Sequence, residues 1–200
     1  MNAPDLETRL ASVATSAIPD GLRARLISTA DSEQTLALGY DVADSPVGPL
    51  LLVASAAGLL RLAFVREGHE AVLESLAERI DPRIVRHPVR VETAKRQLGE
   101  YFEGHRQYFD LAFDLRLARG FRLAVLGELQ RIGYGMRASY AAVAAATGRP
   151  AAVRAVGTAC ATNPLPLVIP CHRVVRSDGT IGNYGGGAEA KQLLLDLEGG

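Results

Sequence analysis

Cysteine is scarce in this chain of 200 residues, and two cysteines, Cys160 and Cys171, are too few for the disulfide framework of a small secreted domain. The first residues include Asp5 and Glu7 and lack the basic stretch and apolar run of a signal peptide, so we expect none. The longest apolar run, residues 47–60, is interrupted by glycine and proline and is too short to span a bilayer. We therefore expect a cytoplasmic protein.

Net charge is also lacking, because 22 basic residues balance 22 acidic ones. The balance differs between the two halves of the chain. Residues 1–115 contain 12 Lys and Arg against 17 Asp and Glu, whereas residues 116–200 contain 10 against 5. A basic C-terminal half can contact phosphates while the acidic half faces away. The same arginines can equally be ordinary solvent-exposed side chains on helices, so the charge pattern alone leaves nucleic-acid binding open.

A length of 200 residues fits one large domain or two small ones, and the hydrophobic content of 48% is ample for their cores. The spacing of the hydrophobic residues predicts two short helices between residues 6 and 28. The elements predicted next, in chain order, are strands at 36–42, 50–54 and 59–65, a helix over 70–79, a helix from Val91 to Gly104, a strand over 108–115 and a helix over 121–132. This pattern indicates a small α/β N-terminal domain without a candidate catalytic residue, followed by a helical region.

Two further helices are predicted close together in the C-terminal half. Ser139 is a good N-cap for a helix over residues 140–147, which Gly148 ends. Pro150 fits the first position of a second helix that runs to about Thr162. Two short helices joined by so tight a turn predict a helix-turn-helix.

The second of these helices is rich in small residues, namely Ala151, Ala152, Ala155, Gly157, Thr158 and Ala159. Such a surface can approach a narrow groove closely, and it can equally pack tightly against neighbouring helices. Composition alone leaves these two interpretations level.

The run I-P-C-H-R-V at residues 169–174 carries the most chemical information. Pro170 fixes its own φ and restricts the residue before it, so the direction of the Cys171 thiol is set in advance. The neighbouring His172 and Arg173 are cationic groups that favour the thiolate, which is the nucleophilic form. Free cysteine is also often a small buried hydrophobe, and this run alone leaves the two readings about even.

Several separated motifs, in the right order, resemble the C-terminal domain of the O6-alkylguanine-DNA alkyltransferases, also called methylated-DNA–protein-cysteine methyltransferases. They are Ser139-Tyr140, R-P-A-A-V-R-A-V-G at 149–157, Asn163-Pro164, I-P-C-H-R-V-V at 169–175, G-N-Y-G-G-G at 182–187, Lys191 and L-E-G at 197–199. A weaker resemblance extends back to about Leu36, through S-P-V-G-P-L at 45–50 and L-G-E-Y-F-E-G at 98–104. Residues 1–35 show no such resemblance.

The resemblance implies an α+β protein, in which residues 36–115 form a small α/β domain with a ribonuclease H-like roll and residues 116–200 a mostly helical catalytic domain with a winged helix-turn-helix-like element. Residues 1–35 lie outside the resemblance, and their spacing predicts a helical extension of unknown role. It also implies DNA repair by direct reversal. One methyl or larger alkyl group moves from O6 of guanine, or O4 of thymine, to Cys171 in a single turnover, and no cofactor is needed.

The resemblance assigns a role to each of five candidate catalytic residues. Cys171 attacks the alkyl carbon, and His172 removes the thiol proton through a water molecule. Glu198 orients the imidazole, and Asn163 braces the turn that carries the cysteine. Tyr140 crowds the turned phosphate and gives a proton to the departing guanine.

A guanine alkylated at O6 is buried in the base stack, so the nucleotide must be extruded from the double-stranded DNA. Arg154 matches the arginine finger that fills the gap, with an ordinary phosphate contact as the alternative. Its helix would enter the minor groove, and the predicted DNA contacts are Arg154, Ala151, Ala152, Ala155 and Gly157, with Arg149 and Arg137 on phosphates. The predicted pocket for the base consists of Val174, Tyr184, Gly185, Gly186 and Lys191. Gly185 stands where family members often carry serine. We expect the protein to be a monomer.

Some family members bind zinc in the N-terminal domain through cysteine and histidine. Here that domain has no cysteine, and His69, His87 and His105 lack compact ligand spacing, so we expect no metal.

Three other functions compete: a non-enzymatic sensor of alkylated bases of the alkyltransferase-like type, a transcription regulator and a cysteine hydrolase. The presence of Cys171, His172 and Glu198 together argues against the sensor, which lacks the cysteine. A transcription regulator would leave these three residues unexplained.

Overall fold

The computed structural model describes residues 36–199 and five isolated positions before them, 19, 21, 22, 25 and 29. From Ala37 onwards the chain forms one compact unit. The helices predicted between residues 6 and 28 lie outside the described residues, apart from those isolated positions. In the part of the chain that is described, no helix combines the length and the apolar character needed to cross a membrane.

Four strands form the N-terminal sheet, in the order β3-β2-β1-β4. They are β1 (Leu38–Ala43), β2 (Leu50–Ser55), β3 (Gly58–Phe64) and β4 (Ile84–Arg86). Strands β1 and β3 are antiparallel to β2, and β4 pairs with β1 in parallel. The three predicted strands therefore form, with ends within two residues of those expected. Strand β4 was not predicted, because three residues are too few to show an alternating pattern.

Helices α1 (His69–Arg79) and α2 (Pro88–Phe102) confirm the two helices predicted in this half. They account for the burial of β2 on both faces, since successive side chains of a strand point in opposite directions. Leu51 belongs to a small core with α1, whereas Leu52 belongs to a larger core with Leu98 of α2. The near-continuous apolar sequence of β2 is thus explained by its central place in the sheet.

The strand predicted over residues 108–115 does not form. This segment makes a single bridge, between Phe113 and Leu59 of β3. The side chain of Gln97 gives the reason, because its amide oxygen accepts from the Asp110 nitrogen at 2.8 Å and its amide nitrogen donates to the Asp110 carbonyl at 2.8 Å. Both backbone groups of Asp110 are therefore occupied and cannot take part in strand pairing.

The C-terminal half is mostly helical. Its elements are α3 (Phe121–Leu129), β5 (Ala138–Ser139), α4 (Tyr140–Ala146), α5 (Val153–Ala161), a 3-10 turn at Cys171–Arg173, β6 (Val174–Val175), which pairs in parallel with β5, and α6 (Gly187–Gly199). Val125 of α3 and Ile169 lie in the same core as Leu52 and Leu98. The C-terminal half is therefore built directly on the inner face of the sheet.

Ser139 caps α4 as predicted, since its Oγ accepts from the Ala142 nitrogen at 3.0 Å. Gly148 follows the helix with φ +73°, a conformation that glycine adopts without strain. Helix α3 ends at Leu129, three residues before the predicted end at Ile132. The Ile132 nitrogen bonds to the Leu129 carbonyl at 3.1 Å, which tightens the last turn.

Helix α5 begins at Val153, so the prediction that Pro150 occupies its first position is wrong. Pro150 lies in a turn closed by a 2.9 Å bond from the Ala152 nitrogen to the Arg149 carbonyl. Ala152 is the N-cap, and its carbonyl accepts from the Val156 nitrogen at 3.0 Å. The connection between α4 and α5 is consequently longer than the predicted tight turn.

Candidate active site

Cys171 lies at the start of the 3-10 turn and is only 2% exposed. The side chain of Asn163 holds the loop that leads to it. Its amide nitrogen donates to the Ile169 carbonyl at 2.8 Å and lies 3.2 Å from Sγ of Cys171. Its amide oxygen accepts from the Leu165 nitrogen at 3.0 Å. One buried amide therefore ties both ends of the loop together and touches the sulfur.

The same loop contains Leu167, with φ +74°, the one non-glycine residue with positive φ in the described part of the chain. A leucine in this region costs roughly 1–3 kcal/mol of strain. The side chain is 1% exposed and belongs to the main core, so its burial offsets that cost. The loop before Cys171 is held in one conformation by packing as well as by hydrogen bonds.

The buried environment of Cys171 opposes the thiolate that its cationic neighbours in the sequence favour. Burial raises the pKa of Cys171 to about 11, although the hydrogen bond from Asn163 opposes it. The guanidinium of Arg173 is bound by Glu198, with Nε 2.8 Å from Oε2 and Nη2 2.9 Å from Oε1. The proton must therefore leave the sulfur during the reaction.

Glu198, on α6, is held by donors from four residues. Oε1 accepts from the hydroxyl of Tyr101 at 2.7 Å and lies 2.9 Å from Nε2 of His172. The guanidinium of Arg173 bonds to both oxygens, and the Gly135 nitrogen donates to Oε2 at 3.3 Å. Burial by itself raises the pKa of Glu198, but the hydrogen bonds from His172 and Arg173 outweigh it and lower that pKa to about 2. The carboxylate is thus ionised at neutral pH.

His172 is completely buried, and its hydrogen bond to Glu198 determines its tautomer. An ionised carboxylate only accepts, so Nε2 carries the proton and Nδ1 has a free lone pair. Within the described residues, neither Nδ1 nor the buried hydroxyl of Tyr184 has a hydrogen-bond partner, and the two rings lie 6.2 Å apart. Burial lowers the pKa of His172, although Glu198 raises it. The imidazole can therefore receive a proton at Nδ1.

An open cleft of about 270 Å³ lies between Tyr140, helix α5 and the segment after the cysteine, lined by Tyr140, Val153, Gly157, Ala161, Arg176, Gly182 and Asn183. Tyr140 is the one candidate catalytic residue in this lining. Burial raises the pKa of its hydroxyl, and the nearby thiols of Cys160 and Cys171 raise it further, whereas Arg176 lowers it. The candidate acid and the candidate nucleophile are therefore close enough to influence each other electrostatically.

The glycine loop after the cysteine packs against the N-terminal half. The ring of Phe64, at the end of β3, meets Tyr184 edge-on at 5.4 Å. A Cβ on Gly186 would lie 2.8 Å from this ring, so glycine is needed there. A Cβ on Gly185 would lie 3.8 Å from it, which is ordinary contact. The serine common at this position in the resembling family would fit without displacing Phe64.

Lys191 lies inside the protein rather than on the exposed face of its helix. It is completely buried, and Nζ donates to the Val174 carbonyl at 2.5 Å. Burial lowers the pKa of this amine. The lysine therefore positions one wall of the predicted base pocket.

The predicted DNA-contacting residues lie on or near α5. Arg154 and Ala155 are exposed on the helix, whereas Gly157 is half-buried. In the turn before it, Ala151 is exposed and Ala152 is half-buried. The structure thus places these small residues where another molecule can approach them.

The two predicted phosphate contacts, Arg149 and Arg137, are both exposed. The guanidinium of Arg149 lies 5.3 Å from the ring centre of Phe121.

No group of three or more His, Cys, Asp or Glu residues that could hold a metal ion occurs among the described residues.

Two consecutive family models match the chain. Residues 38–115 match the ribonuclease-like domain of 6-O-methylguanine DNA methyltransferase, and residues 120–200 match its DNA binding domain. The methylated-DNA–protein-cysteine methyltransferase of Mycolicibacterium paratuberculosis is 39% identical over 159 residues, which cover 80% of this chain and 91% of that protein. The chain belongs to this methyltransferase family.

A second relative and a solved structure agree with the assignment. The methylated-DNA–protein-cysteine methyltransferase of Methanosarcina barkeri is 38% identical over 162 residues, or 80% of this chain and 96% of that protein. A crystal structure of Mycobacterium tuberculosis OGT in complex with DNA matches with a TM-score of 0.71 and 35% identity, covering 80% of this chain and 92% of that one. The family, the α+β fold and the function in DNA repair as a protein-cysteine methyltransferase, all predicted from the sequence, are confirmed.

Residues of the N-terminal half also touch the methyltransferase site, although no functional residue was predicted there. Arg61 of β3 donates to the Pro164 carbonyl at 3.1 Å and forms an ion pair with Glu67. The Leu62 nitrogen donates to the same carbonyl at 2.9 Å. The edge of β3 therefore anchors the loop that begins at Asn163. No local sequence pattern signals such contacts between distant segments.

Arg176 is a second residue that sequence reasoning missed. It is exposed, and it lines the cleft beside Tyr140. The sequence shows a basic residue five positions after the cysteine, but the direction of its side chain depends on the turn that follows. That turn is closed by a 2.9 Å bond from the Arg176 nitrogen to the Thr180 carbonyl.

The acid stability of this methyltransferase tests the ionised state of Glu198. Its folded pKa of about 2 lies below its ordinary value of 4.5, so its stabilisation is complete above pH 4.5 and is lost as the pH falls towards 2. Between these values we expect the free energy of unfolding of the wild type to fall by about 3 kcal/mol more than that of Glu198→Gln. Urea denaturation at a series of pH values measures this. The exposed Asp196 lies on the same helix, so Asp196→Asn should follow the wild type. Parallel curves for the wild type and Glu198→Gln would contradict the assignment.

A pair of glycines tests the placement of Tyr140. A Cβ on Gly182 would lie 2.3 Å from the Tyr140 hydroxyl, whereas a Cβ on Gly127, exposed on α3, has no neighbour within 4 Å. We expect Gly182→Ala to displace the phenol and slow alkyl transfer by about tenfold to a hundredfold. Gly127→Ala should stay within about twofold of the wild type, since surface changes of this size have small effects. Single-turnover rates on alkylated duplex give the comparison, and equal rates for the two variants would show that Tyr140 is not required in this position.

Proposed function

We propose that this protein repairs double-stranded DNA by moving a methyl or larger alkyl group from O6 of guanine, or O4 of thymine, to Sγ of Cys171. Each molecule acts once. The observation that carries the proposal is the buried arrangement around the sulfur. Asn163 touches the thiol at 3.2 Å, and the adjacent His172 is held 2.9 Å from the ionised Glu198 with Nδ1 free. This is a nucleophile with a base and an orienting group beside it.

The proposed reaction is a single displacement. A bond forms between Sγ of Cys171 and the alkyl carbon as the bond from that carbon to O6 breaks, and its electron pair stays with the guanine. The thiol proton passes through a water molecule to Nδ1 of His172, while Nε2–H remains bonded to Glu198. Tyr140 donates a proton to a ring nitrogen of the departing guanine. The product on the protein is a thioether, and no described group is placed to hydrolyse it.

A protonated resting thiol fits this reaction. With a pKa of about 11, Cys171 is protected from adventitious electrophiles until a substrate is aligned. His172 is buried and its pKa is lowered, so it is neutral at physiological pH and able to accept the proton. The thiolate would then exist only during the transfer.

For DNA, we propose that α5 enters the minor groove as part of a winged helix-turn-helix-like element. Arg154 would occupy the place of the extruded base, with Ala155 and Gly157 allowing the helix to approach the duplex closely. Exposure of Arg154 and Ala155 on one short helix supports this. Phosphates would be contacted by Arg149 and Arg137, and the binding form would be a monomer on duplex that contains O6-alkylguanine.

The base would bind between Tyr184 and the loop of Gly185 and Gly186. The main-chain carbonyls of Cys171 and Val174 would accept from its exocyclic amine. The contact from Lys191 leaves the Val174 carbonyl a second lone pair, so it can accept this additional hydrogen bond. The backbone amide of Gly185 would face the substrate oxygen, because glycine offers no side-chain hydroxyl there.

We propose the following division of the chain. Residues 36–115 form a ribonuclease H-like domain that supports the site, and residues 116–200 carry the chemistry and bind DNA. Residues 1–35 form an extension of unknown role, and the protein works in the cytoplasm. The sheet β1–β4 with its two helices and the separate match of residues 38–115 to a ribonuclease-like domain support the first part.

The test is mass spectrometry after mixing the protein with a duplex that contains O6-methylguanine. We expect one added methyl group per molecule, located on the peptide that contains Cys171. Tight binding of the duplex without any mass change would indicate a sensor of the alkyltransferase-like type instead. Repeated turnover without a lasting adduct would indicate a hydrolase.

A further inference from the structure

We infer that Tyr101, at the end of α2 in the N-terminal half, is a positioning residue for alkyl transfer; this rests on the function proposed above. Its hydroxyl donates to Oε1 of Glu198 at 2.7 Å across 97 positions of the chain. Tyr101 is completely buried. The N-terminal half therefore contributes a hydrogen bond directly to the carboxylate that holds His172.

The ring of Tyr101 has little freedom to move. Its centre lies 5.4 Å from the rings of Phe102 and Phe109 and 6.1 Å from the ring of Tyr134. Burial and the negative charge of Glu198 both raise the pKa of Tyr101 far above its usual value. The phenol therefore stays protonated and donates to the carboxylate at neutral pH.

Three donors converge on Oε1 of Glu198, namely Tyr101, His172 and Arg173. A carboxylate oxygen has about two lone-pair sites, so these donors share its negative charge. Tyr101 consequently does two things. It fixes the rotation of the carboxylate, and it limits the negative charge that acts on the imidazole of His172.

Both effects predict a change in how alkyl transfer depends on pH. In Tyr101→Phe the packing of the ring remains and only the donor is lost. The carboxylate then acts more strongly on His172, which raises the pKa of the imidazole, so the base becomes neutral only at higher pH. The other charged or titratable groups that face this pair, Arg173, Lys191, Cys171, Tyr134 and Tyr184, are unchanged.

The experiment compares single-turnover rates of the full-length wild type and of Tyr101→Phe over a pH series, with free O6-benzylguanine as substrate so that DNA binding does not contribute. We expect the acid limb of the profile to move to higher pH by a few tenths of a unit and the maximal rate to fall roughly tenfold, the scale of one hydrogen bond to a charged group. Tyr134→Phe is the matched control, because the Tyr134 hydroxyl donates to the Leu197 carbonyl at 3.1 Å and not to the carboxylate. Its profile should keep the wild-type acid limb.

A second variant covers the case in which Tyr101→Phe unfolds. Site-specific 3-fluorotyrosine at position 101 keeps the ring and strengthens the donor, so the acid limb should move to lower pH. The inference is overturned if the position 101 variants keep the wild-type acid limb, or if Tyr134→Phe shifts it equally. Failure of the wild type to form an adduct on Cys171 in the same assay would instead refute the proposed function.

Discussion

Cys171→Ala is expected to abolish alkyl transfer while leaving the affinity for alkylated duplex largely unchanged. The reaction forms a bond to Sγ, and no other thiol can replace it. Alanine keeps the Cβ and removes one buried atom, so the cysteine loop retains the contact of Asn163 with the Ile169 carbonyl. Mass spectrometry of the protein after mixing with O6-methylguanine duplex should show no added methyl group, and a gel-shift titration should show binding.

Cys160→Ala is the matched control for this loss. Cys160 lies on α5, is 7% exposed, and burial raises its pKa to about 12. A buried thiol without a base beside it is a packing residue, so this variant should transfer the alkyl group at close to the wild-type rate. Loss of transfer in Cys160→Ala, with transfer retained in Cys171→Ala, would overturn the assignment of the nucleophile.

Arg154→Ala is expected to separate repair of DNA from the chemistry itself. If Arg154 fills the space left by the extruded base, its loss makes extrusion less favourable by a few kcal/mol. Transfer from duplex should then slow by tens- to about a thousandfold, since each 1.4 kcal/mol is a factor of ten. Reaction with free O6-benzylguanine, which needs no extrusion, should stay close to the wild-type rate. Single-turnover kinetics on the two substrates give both numbers.

Arg131→Ala controls for the loss of one positive charge. Arg131 is exposed just after α3 and paired with Glu128 at 2.8 Å. A general charge effect would slow duplex repair equally in Arg131→Ala and Arg154→Ala. Equal losses on duplex and on free base in Arg154→Ala would show instead that this arginine shapes the pocket.

The family, the order of most elements and the candidate nucleophile were available from the sequence because they depend on short segments. The cap Ser139 bonds to a nitrogen three residues away, and the apolar run that predicts β2 spans six residues. Separated motifs in a fixed order identify a family even where each is weak. The predicted strand over residues 108–115 does not form, and the side chain of Gln97, 13 positions away, binds both backbone groups of Asp110 there, which a periodicity cannot show.

The chemical state of the site was decided only by the tertiary structure. The sequence neighbours of Cys171 favour a thiolate, but burial raises the pKa of the thiol to about 11 and Arg173 is bound to Glu198, which lies 25 residues further along the chain. The hydroxyl of Tyr101, 97 positions away, donates a hydrogen bond to the same carboxylate. The buried amine of Lys191 donates to the Val174 carbonyl. Protonation and orientation depend on dielectric environment and on contacts between distant segments. The sequence thus determines which groups are present, and packing determines which of them are charged, neutral or free to react.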